Sequence, residues 1–182
     1  LLRESLGSIV TSSERAAELC RQMLAYSGRG RFVVVPVSLN DMVNEIGQLL
    51  TVTVSKRVTL VFEPELTLPL VQADATQIRQ IVMNLITNAS EAIGDREGTI
   101  RMSTGQHVWS SADVGMHILG GELRESQAYA YVRVSDNGSG MDSATLHRIF
   151  DPFFTTKFTG RGLGLAAVLG IVRGHRGAIR VE

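Results

Sequence analysis

Asparagine recurs four positions apart, at Asn84 and Asn88, inside the stretch ATQIRQIVMNLITNASEAI. At that spacing the two side chains stand one turn apart on one helix face. An amide presents a neutral, hard carbonyl oxygen, so the pair could orient a magnesium ion that keeps waters and phosphate oxygens among its ligands. Neither amide could serve as a general base. Two exposed polar residues on a half-buried helix would look the same. A second group lies in VSDNGSGM, residues 134–141. There the Asp136 carboxylate can accept from an exocyclic amine, while Gly138 and Gly140 let the backbone approach a flat ligand. A hydrogen bond to a charged acceptor contributes about 1.5–3 kcal/mol, enough for one contact to select adenine. Asp-Asn-Gly is also a strong turn signal by itself.

The third group is TKFTGRGLGL, residues 156–165, which runs directly into the apolar stretch LAAVLGIV. Gly160, Gly162 and Gly164 free backbone amides near a helix start, where unpaired N–H groups and the macrodipole attract phosphate. Lys157 and Arg161 add charge. A plain glycine hinge has the same composition. Ahead of it, IFDPFFTT sets Phe150, Phe153 and Phe154 around Pro152. These rings either anchor one end of a mobile lid in the core or are ordinary core residues after a helix.

These groups need elements to position them. In helix 75–93, Ile78, Ile81, Val82, Leu85, Ile86, Ala89 and Ile93 form an apolar stripe, and Gln77, Gln80, Asn84, Asn88 and Glu91 fall on the other side. Asp74 with Gln77 reads as a capping box at its start, and Gly94 closes it. Ser38 with Asp41 signals an earlier helix to about Leu50, with Leu39, Met42, Val43, Ile46, Leu49 and Leu50 facing inward. Strands are expected at 58–63, 99–105 and 128–136, with a short one near 177–182. Residues 106–127 read as a wide hairpin loop, SATLHRIF as a helix, and LGLAAVLGIVRG as the last helix. The layout is α+β, a mixed sheet with helices on one face.

The first 28 residues carry a helical stripe of Leu2, Leu6, Ile9, Val10, Ser13, Ala16, Ala17, Cys20, Met23 and Leu24, with Gly28 and Gly30 where a helix should stop. Its small central residues admit a close helical partner. RGRFVVVPV then reads as a linker turning into an edge strand, with Pro36 blocking ladder pairing.

The 182 residues hold 18 basic and 18 acidic side chains, so the chain presents no net field for nucleic acid or an anionic membrane. A single cysteine, Cys20, excludes an internal disulfide and fits a reducing compartment. No apolar run approaches the roughly 18–20 residues of a membrane span, and Leu1 onward lacks the features of a signal peptide. The expectation is a cytoplasmic chain with no membrane contact of its own, any membrane attachment belonging to segments elsewhere.

In their fixed order, QIVMNLITNASEAI, DNGSG and FDPFFTTKFTGRGLGL resemble the ATP-binding domain of sensor histidine kinases, in the superfamily shared with gyrase, Hsp90 and MutL. The likeness covers essentially all of residues 37–182. It implies a two-layer α/β sandwich of the Bergerat type, with ATP and Mg2+ as cofactors. By the same resemblance Asn84 and Asn88 match the asparagine box, Asn88 being preferred as the magnesium ligand. Asp136 would take the adenine amine, Gly138 and Gly140 the adjoining turn, and Phe150 to Phe154 the phenylalanine box. Thr155, Thr156, Lys157, Gly160, Arg161, Gly162, Leu163 and Gly164 would form the ATP-binding lid and phosphate loop. Hydrolysing members of the superfamily carry a water-activating glutamate one turn ahead of the metal-binding asparagine, where this chain has Asn84. The γ-phosphoryl is then left for transfer to a side chain, by positioning and by charge neutralisation from Lys157 or Arg161.

Residues 1–29 look like the second helix of the dimerisation and phosphotransfer bundle, 30–36 like a linker, and 37–182 like the catalytic domain. A homodimer through the bundle, and a response-regulator receiver domain as phosphoryl acceptor, follow as implications. The family's phosphoacceptor histidine has no counterpart here. His107, His117, His147 and His175 lack its context and read as structural or surface residues. The sequence stops at GAIRVE, where the family adds a further strand, so an open sheet edge is expected. Two other readings stay open: an ATPase that works as a conformational clamp, and a nucleotide-sensing module without catalysis. An anti-sigma type serine kinase fits less well, because those lack a helix like 1–27.

Overall fold

The computed structural model describes residues 33–50, 57–110, 118–120, 123–157, 160 and 162–182. The expected first helix therefore lies outside the described residues. In chain order the elements are β1 (Val35–Val37), α1 (Leu39–Leu50), β2 (Val58–Glu63), β3 (Val71–Ala73), α2 (Ala75–Ile93), β4 (Gly98–Val108), β5 (Ile118–Gly120), β6 (Ala128–Asp136), α3 (Ser143–Leu146), α4 (Gly164–Gly174) and β7 (Ala178–Arg180).

The central sheet is mixed, as expected, in the order β2-β4-β6, with β2 parallel and β6 antiparallel to β4. Register sets Phe62 beside Met102 and Met102 beside Val134, and the two-residue period carries Leu60, Ile100 and Val132 to the same side. That side meets α1 and α2, whose Val43, Ile46, Val82 and Ile86 are fully buried with Ile100. Arg101 points to the other face, where it pairs with Glu63. Two short antiparallel ribbons, β1-β3 and β5-β7, complete the described strands.

Several expectations change at the margins. Strand β4 runs on to Val108, and Trp109 and Gln127 prolong its hairpin with β6, so the wide loop is shorter than its composition suggests. Within that stretch β5 pairs with β7, giving the carboxyl-terminal strand a neighbour. Gly120 permits the pairing, since a Cβ there would come within 2.7 Å of Ala178 Cα. Strand β1 begins inside the stretch read as linker, with Pro36 opposite Gln72 of β3. Leu49 is 58% exposed rather than inward, because Ile46 and Leu50 already fill that side of α1. The helix near SATLHRIF is only four residues long; successive turns take over before Pro152, which disfavours helical geometry in the residue ahead of it. Its cap, Asp142, has a carboxyl held below the usual range by hydrogen bonds from the hydroxyl and amide of Thr145.

The start of α2 shows how neighbours complete what a local signal begins. Asp74 Oδ1 accepts from the amides of Thr76 and Gln77 at 2.9 and 3.2 Å, the expected cap. The reciprocal half of the capping box is absent. The Asp74 amide donates instead to His175 Nε2 at 3.0 Å, and Gln77 Oε1 is buried without a partner. His175 must accept at Nε2, so its proton sits on Nδ1, which donates to the Ile171 carbonyl at 2.8 Å. Asp74 Oδ2 accepts from the Val33 amide at 3.0 Å. Asp74, only 7% exposed, thus ties the segment entering β1 to the start of α2 through its carboxylate, and to the end of α4 through its backbone amide. Asp74→Ala is expected to cost about 1–2 kcal/mol, read as a lower urea midpoint, because at least one helix-start amide loses its acceptor. Asp74→Asn should cost less.

Candidate functional site

The polar face of α2 looks toward the segment that leads into α4. Asn84 Nδ2 donates to the carbonyl of Gly164, the first residue of α4, at 3.3 Å. One turn later, Asn88 Oδ1 accepts from Lys157 Nζ at 3.2 Å, and the same ammonium pairs with the Glu91 carboxylate. The two amides are therefore not idle surface residues. Asn84 braces the start of α4, and Asn88 offers its carbonyl oxygen to a cation. Glu91 was placed by sequence on this polar face but not among the site residues. Its position three residues after Asn88 was the available signal.

Asp136 ends β6, and its Oδ1 accepts from the Gly138 amide at 2.8 Å. Among the described residues no donor meets its other oxygen. The loop behind it is fastened to the last turn of α2: the Ser139 amide donates to the Ala92 carbonyl at 3.0 Å. Gly138 packs so tightly there that a Cβ would lie 2.6 Å from the Ala92 carbonyl carbon. Asn137 Oδ1 accepts from the Thr99 amide at 2.9 Å and ties the loop to β4. Gly140 has φ +67° and open space around it. The alternative reading as a hairpin turn does not hold, because β6 is followed by α3 and not by a strand. The carboxylate, exposed at the strand end, and the cation-holding oxygen of Asn88 are thus both positioned from α2.

Phe150 is buried with Ile149 and Leu169, and Phe154 packs against the same cluster beneath the Arg148 guanidinium, 4.3 Å from its ring centroid. Phe153 differs from the expectation of a core anchor. It is 63% exposed and turned outward by a left-handed backbone, φ +67°. The cause is Gly162: its carbonyl accepts from the Phe153 amide at 2.8 Å, and it lies so close that a Cβ would come within 2.4 Å of the Phe153 carbonyl carbon and the Phe154 carbonyl oxygen. This contact pins Gly162 against the Phe153–Phe154 backbone. Within the lid, Thr155 Oγ1 accepts from the Lys157 amide at 3.1 Å, and Thr156 and Gly160 are exposed. Arg161 lies outside the described residues. Leu163 is buried and brings no side-chain cap to α4. His147 and His175 both bond to helix carbonyls, in keeping with structural roles.

Comparison with known proteins places this arrangement. Residues 73–182 match the family described as histidine kinase-, DNA gyrase B- and HSP90-like ATPase. The chain is 33% identical over 98% of its length to the signal transduction histidine-protein kinase AtoS of Escherichia coli K12, and 30% identical over 96% to the sensory histidine kinase/phosphatase NtrB of Rhizobium leguminosarum. It spans 26% and 44% of those relatives' own lengths. Among solved structures, the catalytic domain of histidine kinase ThkA superposes with a TM-score of 0.59 at 27% identity, covering 80% of this chain and 82% of that one. Full-length ShkA in complex with AMPPNP shares the fold at 20% identity and a TM-score of 0.67, over 94% of this chain and 34% of that one. The chain belongs to the histidine kinase-, DNA gyrase B- and HSP90-like ATPase family, as an ATP-binding catalytic domain of the sensor histidine kinase type.

Proposed function

We propose that ATP is held between the polar face of α2, the Asp136 loop and the start of α4, and that the whole protein transfers the γ-phosphoryl to a histidine outside these residues. The observation that carries this reading is the pair Asn84 and Asn88. At the position where hydrolysing members of the superfamily have a glutamate, this chain has an amide engaged with the Gly164 carbonyl. That amide has no basicity with which to activate water. Asp136 orients the adenine through its unengaged oxygen. The amides opening α4 face the phosphates, with Lys157 as a mobile cation close by.

A magnesium ion fits the donor set, because Asn88 Oδ1 is a hard oxygen that already holds a positive charge, the Lys157 ammonium. When bound there with nucleotide, the ion would neutralise phosphate charge. Asn88, as its protein ligand, would fix its place relative to the Gly164 end of the site. Relay to a receiver-domain aspartate and dimerisation through residues 1–29 belong to the same proposal. The relatives' names as histidine kinases support it, as does a solved complex of ThkA with the response regulator TrrA, which shares this fold. No helix among the described residues is long and apolar enough to cross a membrane.

The deciding assay incubates the chain with labelled magnesium-ATP and a separate helical-bundle fragment carrying the acceptor histidine. Acid-labile, base-stable phosphate on that fragment is the expected result. Free phosphate alone would make the chain a hydrolase, and nucleotide binding with neither product a nucleotide-sensing module. Asp136→Asn should weaken ATP binding by about 1–3 kcal/mol, roughly 5- to 150-fold by calorimetry. Asn88→Ala is expected to reduce magnesium-dependent turnover more than metal-free nucleotide binding; equal loss of both would make Asn88 structural. Gly162→Ala places a side chain at φ +65° against backbone atoms. It should lower the melting midpoint, by the equivalent of about 1–2 kcal/mol or more, and weaken ATP binding together with it.

A further inference from the structure

The contact between the lid and α2 has a consequence for how nucleotide enters. Lys157 Nζ lies 3.2 Å from Asn88 Oδ1 and also pairs with Glu91, one turn further along the same helix. The ammonium thus occupies the oxygen to which the proposed function assigns magnesium. A divalent ion bound to that oxygen at about 2.0–2.1 Å would lie close to the ammonium, and the two like charges would repel. Binding of either cation at Asn88 Oδ1 therefore disfavours the other. Nothing in the Asn88 amide would hold a lysine strongly, since the amide is neutral. The carboxylate of Glu91 supplies the charge that keeps Lys157 there.

We propose that Glu91 is a positioning residue that parks the lid cation: in the nucleotide-free state it holds Lys157 on Asn88, closing the metal position, and it releases Lys157 toward the phosphates when magnesium and nucleotide arrive together. This rests on the ATP reading of the site. Glu91 acts only through Lys157 and touches neither nucleotide nor metal. The pair is half-exposed, with side chains 35% and 50% accessible, so water and salt screen it and its hold is weak enough for nucleotide to break. A parked state of that strength lowers the apparent affinity for magnesium-nucleotide by the fraction of molecules it occupies.

The test is a double-mutant cycle on the 182-residue chain, using calorimetric titration with magnesium and the β,γ-imido analogue of ATP. Glu91→Gln is expected to tighten binding about 2- to 5-fold at low salt. In a Lys157→Met background the same substitution should change nothing. In about 0.5 M salt the gain should shrink toward unity, because the ion pair is screened in the unsubstituted chain too. Thermal melting of each variant checks that α2 is intact, as its exposed side chain leads one to expect. Weaker binding in Glu91→Gln, or the same change in both backgrounds, would mean that Glu91 acts on the ligand directly and would overturn the proposal. Normal binding by the unsubstituted chain with no effect of Glu91→Gln would overturn the parking role while leaving the ATP reading intact. Failure of the unsubstituted chain to bind the analogue would remove both.

Discussion

A single buried carboxylate fixes where α2 begins, and the rest of the domain is arranged along that helix. Asp74 is tolerated in the interior because its oxygens are met by amides of Val33, Thr76 and Gln77. Its own amide finds the His175 ring, at the far end of α4. The amino end of α2, the carboxyl end of α4 and the segment entering β1 are therefore joined at Asp74. A displacement of the entry segment at Val33 would remove one of the amides that meet the Asp74 carboxylate at the start of α2.

From that anchored start, α2 does two jobs with its two faces. Val82, Ile86, Ala89 and Ile93 are buried against the sheet, which fixes the rotation of the helix. That rotation in turn sets Asn84, Asn88 and Glu91 toward α4 and the lid. The Asp136 loop is fastened to the same helix through the Ala92 carbonyl, so Asp136 and Asn88 are positioned by one element. Rotating α2 by one residue would expose apolar surface and take every polar contact away from its partner.

The lid is built on a different principle. Its base is held by backbone contact between Gly162 and the Phe153–Phe154 segment, where a side chain has no room. Among its described residues, Thr155 and Lys157 add polar contacts within the segment and to α2.

The sequence alone determined the features that rest on near neighbours. Periodicity and capping residues marked α1, α2, α4, β2 and β6, because helix faces, caps and strand alternation depend on residues a few positions apart. The asparagine pair, Asp136 with its glycines, and the glycine-rich run before α4 were likewise legible from residue chemistry and spacing. Tertiary structure decided the rest. The strands β3 and β5 are three residues each and exist only because β1 and β7 pair with them. Gln77 lost its half of the capping box to His175, a partner 101 positions from Asp74, and Phe153 turned outward because Gly162 presses on its backbone. Lys157 met Asn88 across 69 positions, and Glu91 across 66. No local pattern encodes such meetings. They follow from how packed helices and a folded-back lid bring distant side chains within hydrogen-bonding distance.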